Sequence, residues 1–476
     1  MSSTSQSVVE EPVPSITFSP VPQTTASSSS KEPAASTSGA PESNGTAGGV
    51  TEDEAALYDR QIRLWGLEAQ TRLRRSHILV LGWDGLATEI LKNVVLSGVG
   101  RVTIVDPTDI TPGDLASNFF FRAEEVGQPK CSASSGGALD RIRALNPLVT
   151  VDANADQATF DAFFSGSDPA RSLLLGNTGI DASATAVPKV DVLVASASAA
   201  TSLSLSSITQ LNTLTRSTGT KFFLSSSYGL GGWYFSDQIV HDYLIERPSL
   251  ATSSASASAS GSGSGSADMK NIKQRQTFVP FSESIAHTWT GLTPRQQKRL
   301  RLPLDLFVNL AWIKLSSDSG SNATLAADEA GHGINLDLDL PARLRRDTLH
   351  LIEEKGLQKE AVFSPLNTFP SSSSSGGDEK QPDELDIYIS EFLLAKQLTP
   401  APTSTSTATT TSTPTGTTPT LAPTASILGG ILSQDILNSI SGRQIPILNW
   451  LFLELLGHGT ASVHRVGELP GAVVVS

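Results

Sequence analysis

The stretch HILVLGWDGLATEILKNVVLSGVGRVTIVD, residues 77–106, decides the fold. His77–Leu81 is a short apolar run of the kind a buried strand requires, and Gly82-Trp-Asp-Gly85 is a turn. Leu86, Ile90, Leu91, Val94 and Val95 then recur at helical spacing until Gly98 closes the helix. Arg101–Val105 reads as a second strand ending on Asp106. Strand, glycine turn, helix, strand and acidic residue make a parallel βαβ unit.

Working outward, the alternation continues with a helix near Gly137–Ala144 and strands at Leu148–Val151, Val190–Val194 and Lys221–Leu224. A helix over about residues 201–215 lies between the last two strands. The economical architecture is α/β: a doubly wound, mostly parallel sheet with a helical or irregular insertion and disordered low-complexity tracts. Upstream, Thr51-Glu-Asp-Glu54 has capping-box spacing ahead of one long amphipathic run, Ala55 to Arg75. Beyond residue 268 the pattern turns mostly helical, with apolar faces in Leu304–Leu315, Asp339–Lys355 and Asp383–Leu393. Asp339 followed by Pro341 predicts a cap for the second of these. The α/β pattern returns with helix Ser426–Ile440, stopped by Gly442, an apolar strand Leu448–Leu455 and a further strand Thr460–Val466.

Ser, Thr, Ala, Gly and Pro crowd into residues 1–50 and about 250–268, 371–381 and 399–424, where too little apolar surface exists to offset ordering entropy. The predicted organisation is a disordered tail over 1–50 and the first part of the sheet domain over 51–245. An insertion over 246–424, a return to the sheet domain over 425–468 and a tail over 469–476 follow. Lys plus Arg is 34 against 47 Asp plus Glu, so a formal charge of −13 argues against a sequence-wide attraction to nucleic acid or anionic membranes. One cysteine excludes a disulfide framework and a multi-thiolate zinc site, and no metal site is expected. No apolar run nears the length of a membrane span and no signal-peptide pattern opens the chain, so a soluble intracellular protein is expected. The short basic stretch Gln297-Lys-Arg-Leu-Arg301 reads as a helix surface rather than an import signal.

Four residues form a candidate nucleotide site. Gly82 and Gly85 would bring backbone amides and a helix start to a phosphate, although such turns also simply close a strand onto a helix. Asp106 has the spacing of a ribose-binding acid or of a solvated turn residue. Lys130 joins them through the resemblance described next.

The run YDRQIRLWGLEAQTRLR, residues 58–74, resembles the opening of the ubiquitin-like modifier activating enzymes, most closely the non-cysteine subunit of the SUMO-activating enzyme. The likeness continues through residues 78–106, DLASNFFFR at 114–122, VGQPK at 126–130 and RALNPLV at 143–149, and reappears over 427–463. Residues 240–420 match only loosely. The resemblance implies a Rossmann-like adenylation fold and ATP-dependent adenylation of a modifier, followed by thioester transfer to a cysteine. It implies an obligate heterodimer with a cysteine-bearing subunit whose site holds ATP and Mg, none being firmly bound by this chain. SUMO, a conjugating enzyme reached through the partner, and a nuclear and cytoplasmic location complete that expectation.

Arg60 then matches an arginine that reaches in trans to the ATP phosphates of the partner, whereas charge pattern alone favours a solvated face or a local ion pair. Lys130 matches a phosphate-touching lysine, with an exposed turn lysine as the plainer alternative. The other residues depart from the active pattern: Ser198 stands where an aspartate is needed, Ala87 replaces the last glycine, and the arginine expected after Ser117-Asn118 is displaced to Arg122. Cys131 has no activating environment in the sequence. The chain's own pocket is therefore expected to be vestigial. Three alternatives remain: the equivalent subunit for a Rub/Nedd-type modifier; an NAD(P)-dependent oxidoreductase, which explains the βαβ unit but not the run around Arg60; and a self-sufficient activating enzyme, which Ser198 and the absence of a cysteine where the thioester is expected disfavour.

Overall fold

A computed structural model describes residues 52–176, 187–197, 204–248, 269–318, 340–363, 383–395, 420–454 and 460–475. Eleven strands are described: β1 (His77–Leu81), β2 (Arg101–Val105), β3 (Thr150–Asn154), β4 (Val192–Ser196), β5 (Lys221–Tyr228), β6 (Gly231–Asp237), β7 (Val240–Pro248), β8 (Met269–Thr277), β9 (Trp450–Glu454), β10 (Thr460–His464) and β11 (Val473–Val474). Eight of them form one sheet in the order β10-β9-β6-β5-β4-β1-β2-β3. The run from β3 to β5 is parallel, and β6, β9 and β10 extend it antiparallel. The fold is thus the expected doubly wound, mostly parallel α/β sheet.

Every residue of β1 and β4 is buried, as central parallel strands covered on both faces must be. Alternate side chains serve opposite layers. Leu79, Leu81, Phe222 and Leu224 enter one core, which also holds helices Leu205–Thr218, Leu304–Asp318, Leu340–Glu354 and Glu384–Ala395. Ile78, Val80 and Phe223 enter the other, beneath helices Gly85–Leu96 and Ala422–Ser441. A buried polar chain fastens the middle helices to the sheet. Trp233 Nε1 donates to Asn309 Oδ1 (3.0 Å), Asn309 Nδ2 donates to the Tyr228 hydroxyl (2.8 Å), and the Tyr228 and Tyr388 hydroxyls both donate to Asp305.

Several expectations change. The single helix over 55–75 is three: Glu52–Leu57, Asp59–Trp65 and Leu67–Arg75. Gly66, at φ +87°, makes the second break. The first falls at Tyr58, whose ring is wedged against Gly98 and whose hydroxyl accepts from Asn146 Nδ2 (2.7 Å). The strand expected at 148–151 starts at Thr150, because Val149 N closes a turn onto Asn146 O (3.1 Å). Helices Gln157–Ser165 and Asp168–Leu175 were not anticipated. Residues 269–277 are a strand rather than helix. β8 pairs with β7 on one side and β11 on the other in a separate antiparallel sheet whose polar sequence hides its period. The basic stretch does lie on a helix, Pro294–Leu300, with Gln297 inward and Lys298 and Arg299 exposed. The expected caps at Thr51 and Asp339 lie outside the described residues.

Helix Ala422–Ser441 carries a buried acid. Asp435 accepts from the Tyr234 hydroxyl and from Ile447 N, both at 3.3 Å, and burial pushes its carboxyl up to about 7. An ordinary aspartate titrates near 3.9 when unfolded. The folded pKa is raised, so the stability linked to Asp435 is present below the unfolded value and lost as pH rises through about 7. Urea midpoints measured across about pH 5 to 8 should fall for the wild-type chain and fall less for Asp435→Asn.

Candidate functional site

The sheet order places a topological switch point between β1 and β4, the usual crevice for a ligand in an open α/β fold. Gly82 leaves β1 at φ +88° and its amide donates to Val105 O (2.9 Å). Trp83 follows, fully buried; its amide donates to Asp106 Oδ2 (2.6 Å) and its Nε1 to Thr88 Oγ1 (3.1 Å). Asp84 caps helix Gly85–Leu96 by accepting from Ala87 N (2.8 Å), and its other oxygen accepts from Ser196 Oγ at the tip of β4 (2.5 Å). Burial pushes the Asp84 carboxyl up, while the Ser196 and Ala87 hydrogen bonds and the charge of Lys130 pull it down. Gly85 has no room for a side chain: a Cβ would stand 2.2 Å from Ser117 Oγ. Asp84 thus already holds the Ala87 amide that a phosphate oxygen would use.

Asp106 is 1% exposed, and besides Trp83 it accepts from Thr108 N (2.8 Å) and Thr108 Oγ1 (2.6 Å). Both oxygens are thus engaged within the chain, and the solvated-turn alternative is excluded by burial. Lys130 is 5% exposed, so the exposed-turn alternative is corrected as well. Its ammonium lies 3.2 Å from Asp114 Oδ1 and 4.0 Å from Asp106 Oδ2. Desolvating a lysine is tolerable only beside such counter-charges. Asp114 is itself held by Thr111 N (2.8 Å) and Thr111 Oγ1 (2.7 Å). Cys131, next in the chain, is buried and its thiol is pushed up to about 12, chiefly by desolvation, as expected of an inert cysteine.

The structure therefore brings together Gly82, Gly85, Asp106 and Lys130, but Arg60 stands apart. It is exposed on helix Asp59–Trp65, while its neighbours Asp59 and Arg63 pair with each other at 3.0 Å. Arg60 has no ion pair or hydrogen bond among the described residues, as a solvated helix face would also have it. Arg122 folds back on its own loop, donating to Phe119 O (2.8 Å) and Phe121 O (3.1 Å). Asn118 is buried and its Nδ2 has no partner among the described residues. Ser198 lies outside them. No group of His, Cys, Asp and Glu among the described residues is arranged to hold a metal ion, and no described helix is long and apolar enough to cross a membrane.

Sequence reasoning passed over Asp84 and Asp114. Both carried a local signal: Asp84 and Ala87 have N-cap spacing, and Thr111 and Asp114 the spacing of a side-chain turn.

Two measurements probe this cluster. Lys130→Met leaves Asp106 and Asp114 buried without their counter-charge and should lower unfolding free energy by about 3–5 kcal/mol in urea at neutral pH. Cys131 should stay unreactive toward a thiol reagent at about pH 8 in the native chain and react fully once the chain is unfolded.

Comparison with known proteins agrees with this architecture. Residues 58–232 match the ThiF family. SUMO-activating enzyme subunit 1 of Rattus norvegicus is 27% identical over 420 residues, covering 87% of this chain and 95% of the relative. The protein of that name in Homo sapiens is 25% identical over 426 residues, with 88% and 97% covered. DNA damage tolerance protein RHC31 of Saccharomyces cerevisiae is 26% identical over 423 residues, with 85% and 95% covered. A ThiF segment that starts at the Tyr58 anchor and contains the glycine turn is set within a likeness to SUMO-activating enzyme subunit 1 proteins that runs nearly end to end.

Proposed function

We propose that this chain is the non-cysteine subunit of a heterodimeric SUMO-activating enzyme. It supports ATP-dependent adenylation of SUMO and transfer of SUMO to the catalytic cysteine of the other subunit as a thioester. The observation that carries this is Arg60, an exposed guanidinium with no ion pair or hydrogen bond among the described residues, on a short helix whose base is locked to the sheet domain through Tyr58. A planar, permanently charged fork of this kind suits terminal phosphate oxygens in a neighbouring active site.

ATP with Mg, bound in the partner, supplies the electrophilic phosphorus and the leaving group. The part played by this chain is to hold Arg60 at the interface and to provide a rigid half of the platform. Its own glycine turn performs no adenylation in this proposal: Ala87 stands in place of a glycine, Asp84 is the helix cap, and the single cysteine is buried with its pKa raised. The conjugating enzyme is reached through the partner, and the work is placed in the nucleus with a cytoplasmic pool.

Arg60→Ala should assemble normally with the cysteine-bearing subunit by size-exclusion chromatography, yet slow SUMO-dependent pyrophosphate exchange by about tenfold or more. Exchange at the wild-type rate in the assembled variant would remove Arg60 from the mechanism.

A further inference from the structure

The glycine turn lies at the switch point of the sheet, at the start of a 12-residue helix, where an anion is stabilised by free amides and the helix dipole. An anion is already there, and it is covalently part of the chain. Asp84 spends one carboxylate oxygen on the Ala87 amide and the other on Ser196 Oγ, so it bridges the helix start to the tip of β4 across the crevice. From the other side the loop carrying Asp114 and Ser117 closes over the same turn, with Ser117 Oγ where a Gly85 side chain would be. Lys130 and Asp114 both act on Asp84 electrostatically, and Lys130 also pairs with Asp106 and Asp114. One ammonium thus faces three carboxylates, an arrangement that repels a polyphosphate.

We infer that Asp84 is a built-in ligand of this turn: its carboxylate takes the place of a phosphate group, closes the seat to phosphate-class anions, and completes the β1–helix–β4 junction without any bound molecule. The inference is independent of the role given to Arg60, since it concerns a seat inside this chain. Removing the carboxylate frees the Ala87 amide and lowers the negative charge around Lys130 by one. A seat for a small phosphate-class anion should then appear.

The test uses the full-length chain and inorganic pyrophosphate, titrated calorimetrically at about pH 7.5 with folding verified by circular dichroism. Wild-type chain should bind pyrophosphate at least about tenfold more weakly than Asp84→Gly, a difference of about 1.4 kcal/mol. Asp84→Ser, whose hydroxyl can still cap the helix, keeps the experiment decisive if the glycine variant does not fold; it leaves the Ala87 amide occupied, so a smaller gain, from the lost negative charge alone, is expected of it. Equal affinity in wild-type and variant chains, or a folded variant that ignores pyrophosphate, would overturn the inference. Pyrophosphate exchange by the assembled enzyme is not the readout, so this inference and the Arg60 proposal can fail separately.

Discussion

β1 is buried on both faces and paired on both edges, with β2 on one side and β4 on the other, and the arrangement of the site follows from that constraint. A strand so enclosed cannot slip in register without turning its apolar side chains into the wrong layer. Its end is therefore a fixed point. The Trp83 amide ties that end to Asp106 at the tip of β2, and Asp84 ties it to Ser196 at the tip of β4. Three neighbouring strand tips are joined by two carboxylates belonging to the chain itself.

The two layers are secured differently. On the glycine-helix side close approach is joined to single polar contacts: a Cβ on Gly429 would stand 2.7 Å from Glu89 Cβ, and Ser426 Oγ donates to Glu89 Oε1 (2.5 Å). On the opposite side the fastening includes the polar chain from Trp233 through Asn309 and Tyr228 to Asp305 and Tyr388. Burial pushes Asp305 up to about 6, with hydrogen bonds from Tyr388 and Tyr228 pulling against it. A network of this kind fixes which helix face meets the sheet, because a misaligned packing would strand buried polar groups. The middle helices thereby share one apolar core with β5, β6 and β9.

Charge is divided between the inside and the outside of the site. Within the turn region, Asp84, Asp106 and Asp114 surround a single buried ammonium, and their oxygens are occupied by backbone amides and hydroxyls of the same chain. On the surface, Arg60 carries a positive charge that nothing within the described residues neutralises. The inward turn, occupied by its own carboxylates, and the outward guanidinium thus lie on separate parts of the chain.

The sequence by itself determined the βαβ core, because an apolar run, a glycine turn and a helical repeat are local patterns whose physics depends on few distant residues. It also determined the helix over Ser426–Ile440 and its Gly442 stop, although the helix starts earlier, at Ala422, inside the tract expected to be disordered, and it singled out Arg60 through the resemblance of the run beginning at Tyr58. The break at Tyr58, the polar β7–β8 pair and the burial of Lys130 were decided only by tertiary structure. Tyr58 needed Gly98 and Asn146, which are remote in sequence, and Lys130 needed Asp106 and Asp114 folded against it. What becomes of Asp84 shows the division most clearly. Its spacing to Ala87 marks a helix cap in any fold, but only β4 lying beside β1 brings Ser196 to its second oxygen and makes that cap a bridge across the crevice.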